Sequence, residues 1–276
     1  MKAMRLFSVV ACTWFLGMGA QAQPAQNAKE FKPEVGQQGK DVVWVPTSLA
    51  LVNKMLDMAK ATPSDYVIDL GSGDGRTVIT AAKRGIKALG IEYNPDMVEL
   101  SKQSAAKEGV TERATFMKAD LFETDFSQAT VITMFLLPDI NLKLRPKILN
   151  LKPGTRIVSN TFTMGEWDAD ETGTAASDEG SSYYRTALLW IVPAKVEGAW
   201  KSANGDISFK QEFQKVSGSI NAGSVSTLVT GGKLRGDQIS FSAGGTQYSG
   251  KVAGDTITGA AVTGGTSREW NATQVK

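Results

Sequence analysis

From position 49 onward the apolar residues of this chain follow two successive rhythms. Leu49, Val52, Met55, Leu56 and Ala59 recur at helical spacing, with Thr47 or Ser48 placed to cap the helix. From Tyr66 short apolar runs alternate with amphipathic ones. The runs 66–70, 88–92, 115–117, 129–136 and 155–161 read as strands. Residues 77–84, 95–108 and 140–149 read as the intervening helices, and Asn94 with Pro95 forms a cap and first-turn pair. Apolar strands separated by helices predict an α/β fold with a parallel sheet covered on both faces. A polar, acidic loop is expected over 168–182, holding Asp168, Asp170, Glu171, Asp178 and Glu179. The strand-like run 184–192 could then complete the sheet as an antiparallel member.

Beyond Pro193 the pattern shortens. Half of the 28 glycines lie there, between β-type runs at 207–213, 217–220, 224–229, 238–242, 247–252, 256–260 and 269–273. Leu234 to Ile239 and Val252 to Ile257 each carry a Gly-Asp turn, which predicts paired hairpins. A small Gly-rich antiparallel meander or barrel of six to eight strands is expected. Phe209, Phe213, Ile239, Phe241, Ile257 and Trp270 would face inward on it.

The chain starts differently. Lys2 and Arg5 precede an apolar run over 6–18, and Ala20-Gln21-Ala22 has the small-x-small form of a signal-peptidase site. This predicts a signal peptide over 1–22, cleaved before Gln23, and export to the periplasm or beyond. A start at Met18 would instead give a cytoplasmic protein. No later stretch is long and apolar enough to span a bilayer. Loss of the leader leaves 28 basic residues against 28 acidic ones and removes Cys12, the sole cysteine. No nucleic-acid partner is expected from so balanced a charge. The predicted organisation is a signal peptide over 1–22, a linker over 23–41, an α/β domain over 42–193 and the β module over 194–276.

There is no histidine. That eliminates Ser-His-Asp triads, Cys-His pairs and histidine-ligated zinc, and no metal is expected. The chemistry concentrates instead where the first strand runs into Asp69-Leu70-Gly71-Ser72-Gly73-Asp74-Gly75-Arg76. Glycine lets a backbone approach a ligand closely at the carboxyl end of a sheet. The glycines alone would equally suit a dinucleotide fold. Three carboxylates sharpen the reading. Asp69 ends the first strand, Glu92 ends the second and is able to accept both hydroxyls of a ribose, and Asp120 follows the third, where an adenine amino group could be held.

With those pieces in register, residues 42–167 resemble class I S-adenosylmethionine-dependent methyltransferases with a Rossmann-like sheet. More narrowly they resemble the small protein-lysine methyltransferases that modify the mitochondrial ADP/ATP carrier and the c-ring protein of ATP synthase, and their bacterial relatives. The matching segments are Val45-Pro46-Thr47, Asp69 to Arg76, Gly90 to Pro95, Asp120-Leu121-Phe122, Phe135-Leu136-Leu137-Pro138 and Leu151 to Ser159. The resemblance implies S-adenosyl-L-methionine as cofactor, held by Pro46, Thr47, Asp69, Gly71, Ser72, Gly73, Glu92 and Asp120. It implies a methyl acceptor, a protein lysine among the possibilities, met by Phe135, Leu137 and Pro138; Trp167 is a further candidate to line an acceptor pocket, with a buried aromatic as the alternative reading. The leader and the Gly-rich module depart from that family, so the acceptor does not carry over.

Methyl transfer needs a neutral acceptor. Asp139, Glu166 or a carbonyl near 135–138 are the candidates to relieve a lysine of its proton, since the chain offers no histidine. A second reading is an exported protein that binds a nucleoside or small ligand on the same fold without catalysis. A carbohydrate adhesin is a further reading of the β module, though no aromatic stripe supports it.

Overall fold

A computed structural model describes residues 31–176 and 183–276. The proposed signal peptide, the linker as far as residue 30, and Asp178 and Glu179 lie outside the described residues. Helix α1, Leu49–Met58, is capped by the Ser48 hydroxyl, which accepts from the Leu51 amide. The sheet strands are β1 (Tyr66–Leu70), β2 (Lys87–Glu92), β3 (Ala114–Lys118), β4 (Val131–Met134), β5 (Arg156–Asn160), β6 (Glu171–Thr174) and β7 (Thr186–Ile191). They lie in the order β3-β2-β1-β4-β5-β7-β6. The first five run parallel, and β7 returns antiparallel beside β5. Helices α2 (Arg76–Lys83), α3 (Pro95–Lys107) and α4 (Pro138–Ile148) supply the connections, and Asn94 caps α3 as its sequence predicts.

Burial on both sides follows from the strand composition. Val67 and Val131 pack with α1 and α2 residues on one face, while Ile68, Leu70 and Ile132 pack with Ile140 and Leu144 of α4 on the other. The expected fourth strand is longer than the observed β4, because the chain bends out of the sheet at Phe135 toward the α4 N-terminus.

The acidic loop expected from Asp168 is in part an edge strand. β6 pairs antiparallel with β7, and carboxylates of residues 168–171 form ion pairs with the following module. Asp168 pairs with Lys215, Asp170 with Lys233 and Glu171 with Arg235. The Asp170 side chain is fully buried and its second oxygen accepts the Ile191 amide at 2.9 Å. A charge so buried is tolerated only with such partners.

Strands β8 (Gly198–Ser202), β9 (Gly205–Glu212), β10 (Lys215–Ala222), β11 (Val225–Arg235), β12 (Gln238–Ala243), β13 (Thr246–Ala253), β14 (Thr256–Thr263) and β15 (Thr266–Gln274) close into an antiparallel barrel. Closure leaves no free sheet edge. The two Gly-Asp turns sit where expected, between β11 and β12 and between β13 and β14. The first strand, β8, is the one the periodicity does not reveal, being five residues long with Trp200 as its only buried member. Trp200, Phe209, Phe241, Tyr248 and Trp270 fill the interior in a chain of ring contacts. Gly259 is required by packing: a Cβ there would meet the Ser249 carbonyl oxygen at 1.9 Å.

Phe213 is not part of that interior. It sits at the β9–β10 turn with φ 53°, stacks on Trp167 at 6.0 Å and lies under the Arg145 guanidinium. The barrel thus lends an aromatic ring to the core of the α/β sheet. No described helix is long and apolar enough to cross a membrane.

Candidate active site

A cleft opens at the carboxyl ends of β1, β2 and β4. Its floor is the glycine loop. Gly71, Gly73 and Gly75 all have positive φ, 77°, 54° and 80°, which disfavours any side chain. At Gly73 the close neighbour is also specific: a Cβ would stand 2.6 Å from the indole nitrogen of Trp44.

Glu92 is held in place by backbone donors. Gly73 N–H donates to Oε2 and Asn94 N–H to Oε1, both at 2.9 Å. Each oxygen keeps a lone pair for a further donor. Asp69 is buried at the end of β1 and accepts the Thr133 hydroxyl at 2.6 Å. Burial pushes its carboxyl up to about 7, and the neighbouring charges of Asp74 and Glu92 add to this against the opposing hydrogen bonds from Thr133 and Thr77. Asp120 caps its own loop, accepting the Phe122 amide, and pairs with Lys40 at 2.9 Å. The Lys40 ammonium holds the Asp120 carboxyl below the usual range. The Ser72 hydroxyl is buried in the cleft wall without a hydrogen-bond partner among the described residues.

Pro46 and Thr47 line the cleft as well. Arg76 ties them to the glycine loop, donating to the Thr47 carbonyl at 3.0 Å while its fork grips Asp74. The eight residues expected to hold a cofactor therefore converge on one cleft. The glycine floor, the anchored carboxylate and the unpartnered hydroxyl together form a cradle that fits S-adenosylmethionine.

The acceptor-side expectations divide. Phe135 lines the cleft. Leu137 and Pro138 are exposed at the start of α4 and do not line it. Trp167 does not line an acceptor pocket at all. It is fully buried between Trp190 and Phe213, and its carbonyl accepts the Trp190 indole N–H at 2.7 Å. Its apolar bulk is used to join sheet and barrel. Glu166 is exposed and paired with Arg145, whose guanidinium lowers its carboxyl, so it is a poor proton acceptor. Asp139 is exposed in the first turn of α4. The Leu137 carbonyl already accepts the amides of Ile140 and Asn141.

The expected linker over 23–41 is, from residue 33 onward, not a plain tether. Gly36 and Trp44, and Trp44 and Gln37, are joined by backbone hydrogen bonds, and residues 37–44 form one wall of the cleft. The apolar run Val42-Val43-Trp44-Val45 directly after the linker was the available signal. Thr133 and Asn160 were also missed: both are fully buried polar residues at strand ends.

The family model of the ANTKMT methyltransferase domain matches residues 69–171. A protein-lysine N-methyltransferase of Saccharolobus islandicus (strain REY15A) is 47% identical over 154 residues, covering 55% of this chain and 94% of that protein. The adenine nucleotide translocase lysine N-methyltransferase of Mus musculus is 32% identical over 128 residues, and there the match spans 46% of this chain and 56% of the relative's length. Among solved structures, an RNA methyltransferase from Salinibacter ruber in complex with S-adenosyl-L-homocysteine is 42% identical, with a TM-score of 0.50, over 55% of this chain and 96% of that one. The family-model match ends before the barrel. The cleft is that of an S-adenosylmethionine-dependent methyltransferase, and the chain belongs to the family of protein-lysine methyltransferases.

Proposed function

We propose that this enzyme methylates the ε-amine of lysine in a protein acceptor, and that it acts after export from the cytoplasm. The observation that carries the acceptor class is the 47% identity to a protein-lysine methyltransferase across nearly the whole of that protein. Solved relatives include one described as an RNA methyltransferase. A nucleic-acid acceptor would require a cationic surface for phosphates, and the charge of this chain is nearly balanced.

When bound, S-adenosylmethionine supplies an electrophilic methyl group on sulfonium. In this reading Glu92 accepts the ribose hydroxyls, Asp120 the adenine amino group, and Asp69 faces the cationic amino-acid end. The glycine loop brings backbone against the ligand. The protein contributes chiefly alignment, which supplies roughly 7–11 kcal/mol in well-oriented reactions. A lysine, with an ordinary pKa of about 10.4, must arrive deprotonated. Neither Glu166 nor Asp139 lines the cleft, so desolvation at the Phe135 rim favours the neutral amine and water carries the proton away.

Export rests on Lys2, Arg5, the apolar run and Ala20-Gln21-Ala22. Protein isolated from its host should begin at Gln23, and an intact N-terminus would refute this part. For the acceptor, labelled methyl groups should pass to poly-L-lysine and not to RNA. Transfer to RNA alone would overturn the lysine reading.

A further inference from the structure

We propose that the strained turn Asn160-Thr161-Phe162, with the rings of Phe135 and Tyr184, forms the seat for the acceptor's alkylammonium group. This rests on the lysine reading above. Thr161 has φ 62°, a left-handed conformation that a β-branched residue rarely adopts. The Phe162 amide donates back to the Asn160 carbonyl at 2.7 Å, closing a tight three-residue turn.

The surroundings enforce this conformation from several sides. Asn160 is fully buried at the end of β5, and its amide donates to the Thr47 hydroxyl of the cofactor cleft at 3.2 Å. The Thr161 hydroxyl donates to the Asn160 side-chain oxygen at 2.9 Å, and the Thr161 amide to the Thr186 carbonyl at 2.7 Å. The Ser159 hydroxyl holds the Phe162 carbonyl at 2.8 Å. Strain so thoroughly supported concentrates at functional sites.

What the turn accomplishes is the placement of one ring. Phe162 lies 5.9 Å from Phe135, nearly parallel, and Tyr184 meets both, edge-on to Phe135 at 5.0 Å and tilted to Phe162 at 5.9 Å. Three strand ends thus contribute three half-buried rings beside the cofactor cleft, which Phe135 itself lines. Clustered aromatic faces attract alkylammonium ions through the ring quadrupole and shelter the alkyl stem. The Arg185 guanidinium, one residue from Tyr184, is spent on the Ala175 carbonyl.

The test is a binding titration of the full chain, saturated with S-adenosylhomocysteine, using Nα-acetyl-Nε-trimethyl-lysine methylamide as probe, followed by NMR. The uncharged norleucine analogue and uridine serve as competitors. The probe should bind the wild type and exceed the norleucine analogue by about fivefold or more, since only the former carries the cation. Phe162→Leu keeps apolar volume and should lose that margin, whereas Phe162→Tyr should keep it. S-adenosylhomocysteine affinity reports folding and should stay within about twofold in both variants. Equal binding of the norleucine analogue, displacement of the probe by uridine, an unaffected Phe162→Leu, or no probe binding to the wild type would each overturn the seat. Methyl transfer to poly-L-lysine in the same preparation would decide separately whether the lysine reading stands.

Discussion

The Lys40 ammonium pairs with Asp120 at 2.9 Å across the mouth of the cleft, while lying over the rings of Tyr93 and Phe122 at 5.4 and 5.6 Å. Asp120 is the carboxylate assigned to the adenine amino group, so this pair competes with the cofactor for one partner. Lys40→Ala should therefore tighten S-adenosylhomocysteine binding severalfold at low salt. The difference should shrink as ionic strength rises, because the pair is exposed and screened. Weaker binding in Lys40→Ala would mean that the ammonium instead closes over the bound nucleoside.

Asp69 makes the cleft sensitive to pH. Its folded carboxyl titrates at about 7 against 3.8 unfolded, so between those values the native state holds a proton that the unfolded state has released. Stability should fall as pH rises through that window, by an amount on the order of 4 kcal/mol at most for this group. Asp69→Asn should flatten that slope in a Tm-versus-pH series. A cationic ligand end favours the ionised carboxylate, so wild-type affinity for S-adenosylhomocysteine should rise between about pH 6 and 8 and level off above. A pH-independent affinity identical in Asp69→Asn would remove Asp69 from the ligand site.

Gly73 carries both a left-handed backbone and the indole of Trp44 against its α-carbon. Gly73→Ala should lose about 1–2 kcal/mol from the backbone conformation alone, and Trp44 must also move. Trp44→Ala would relieve the second effect and leave the first. Double-mutant thermal unfolding should show that coupling, and strict additivity would contradict the contact.

Phe213 belongs to the barrel in sequence and to the sheet in space. Phe213→Ala should destabilise the protein by about 2–3 kcal/mol, below the full-burial range because the ring is half exposed. It should leave cofactor affinity unchanged, since no barrel residue lines the cleft. A chain ending at Pro193 would expose Trp167 and Val192 and lose the three carboxylate pairs of 168–171. It should melt at lower temperature, yet bind S-adenosylhomocysteine within about threefold of the full chain if it folds. Loss of binding by a folded truncation would merge barrel and cleft into one site.

Much of this architecture could be read from the chain because local and tertiary signals agree there. Tyr66–Leu70 is apolar except for Asp69 and flanked by turn residues, so its strand ends are observed where the pattern places them. Asn94-Pro95 marks the α3 start for the same reason, being a cap and a preset φ together. Glu92 and Asp120 were legible as strand-end carboxylates in register with the glycines. What was not legible depended on contacts distant in sequence. Lys40 read as linker because only Asp120, far along the chain, gives it a place, and the contact of Trp44 with Gly73 is equally distant in sequence. Trp167 read as either a pocket wall or a buried aromatic, and Phe213 as barrel interior, because periodicity cannot tell which of two adjoining cores a ring will enter. The turn at Thr161 has no glycine to announce it.

Titration calorimetry of the chain from Gln23 with S-adenosylhomocysteine tests the central claim most directly. The account predicts one saturable site. Glu92→Ala should weaken it by about 1–3 kcal/mol through loss of a charged hydrogen-bonding partner. A folded wild type that takes up no S-adenosylhomocysteine, or a Glu92→Ala variant that binds it as tightly, would contradict the assignment.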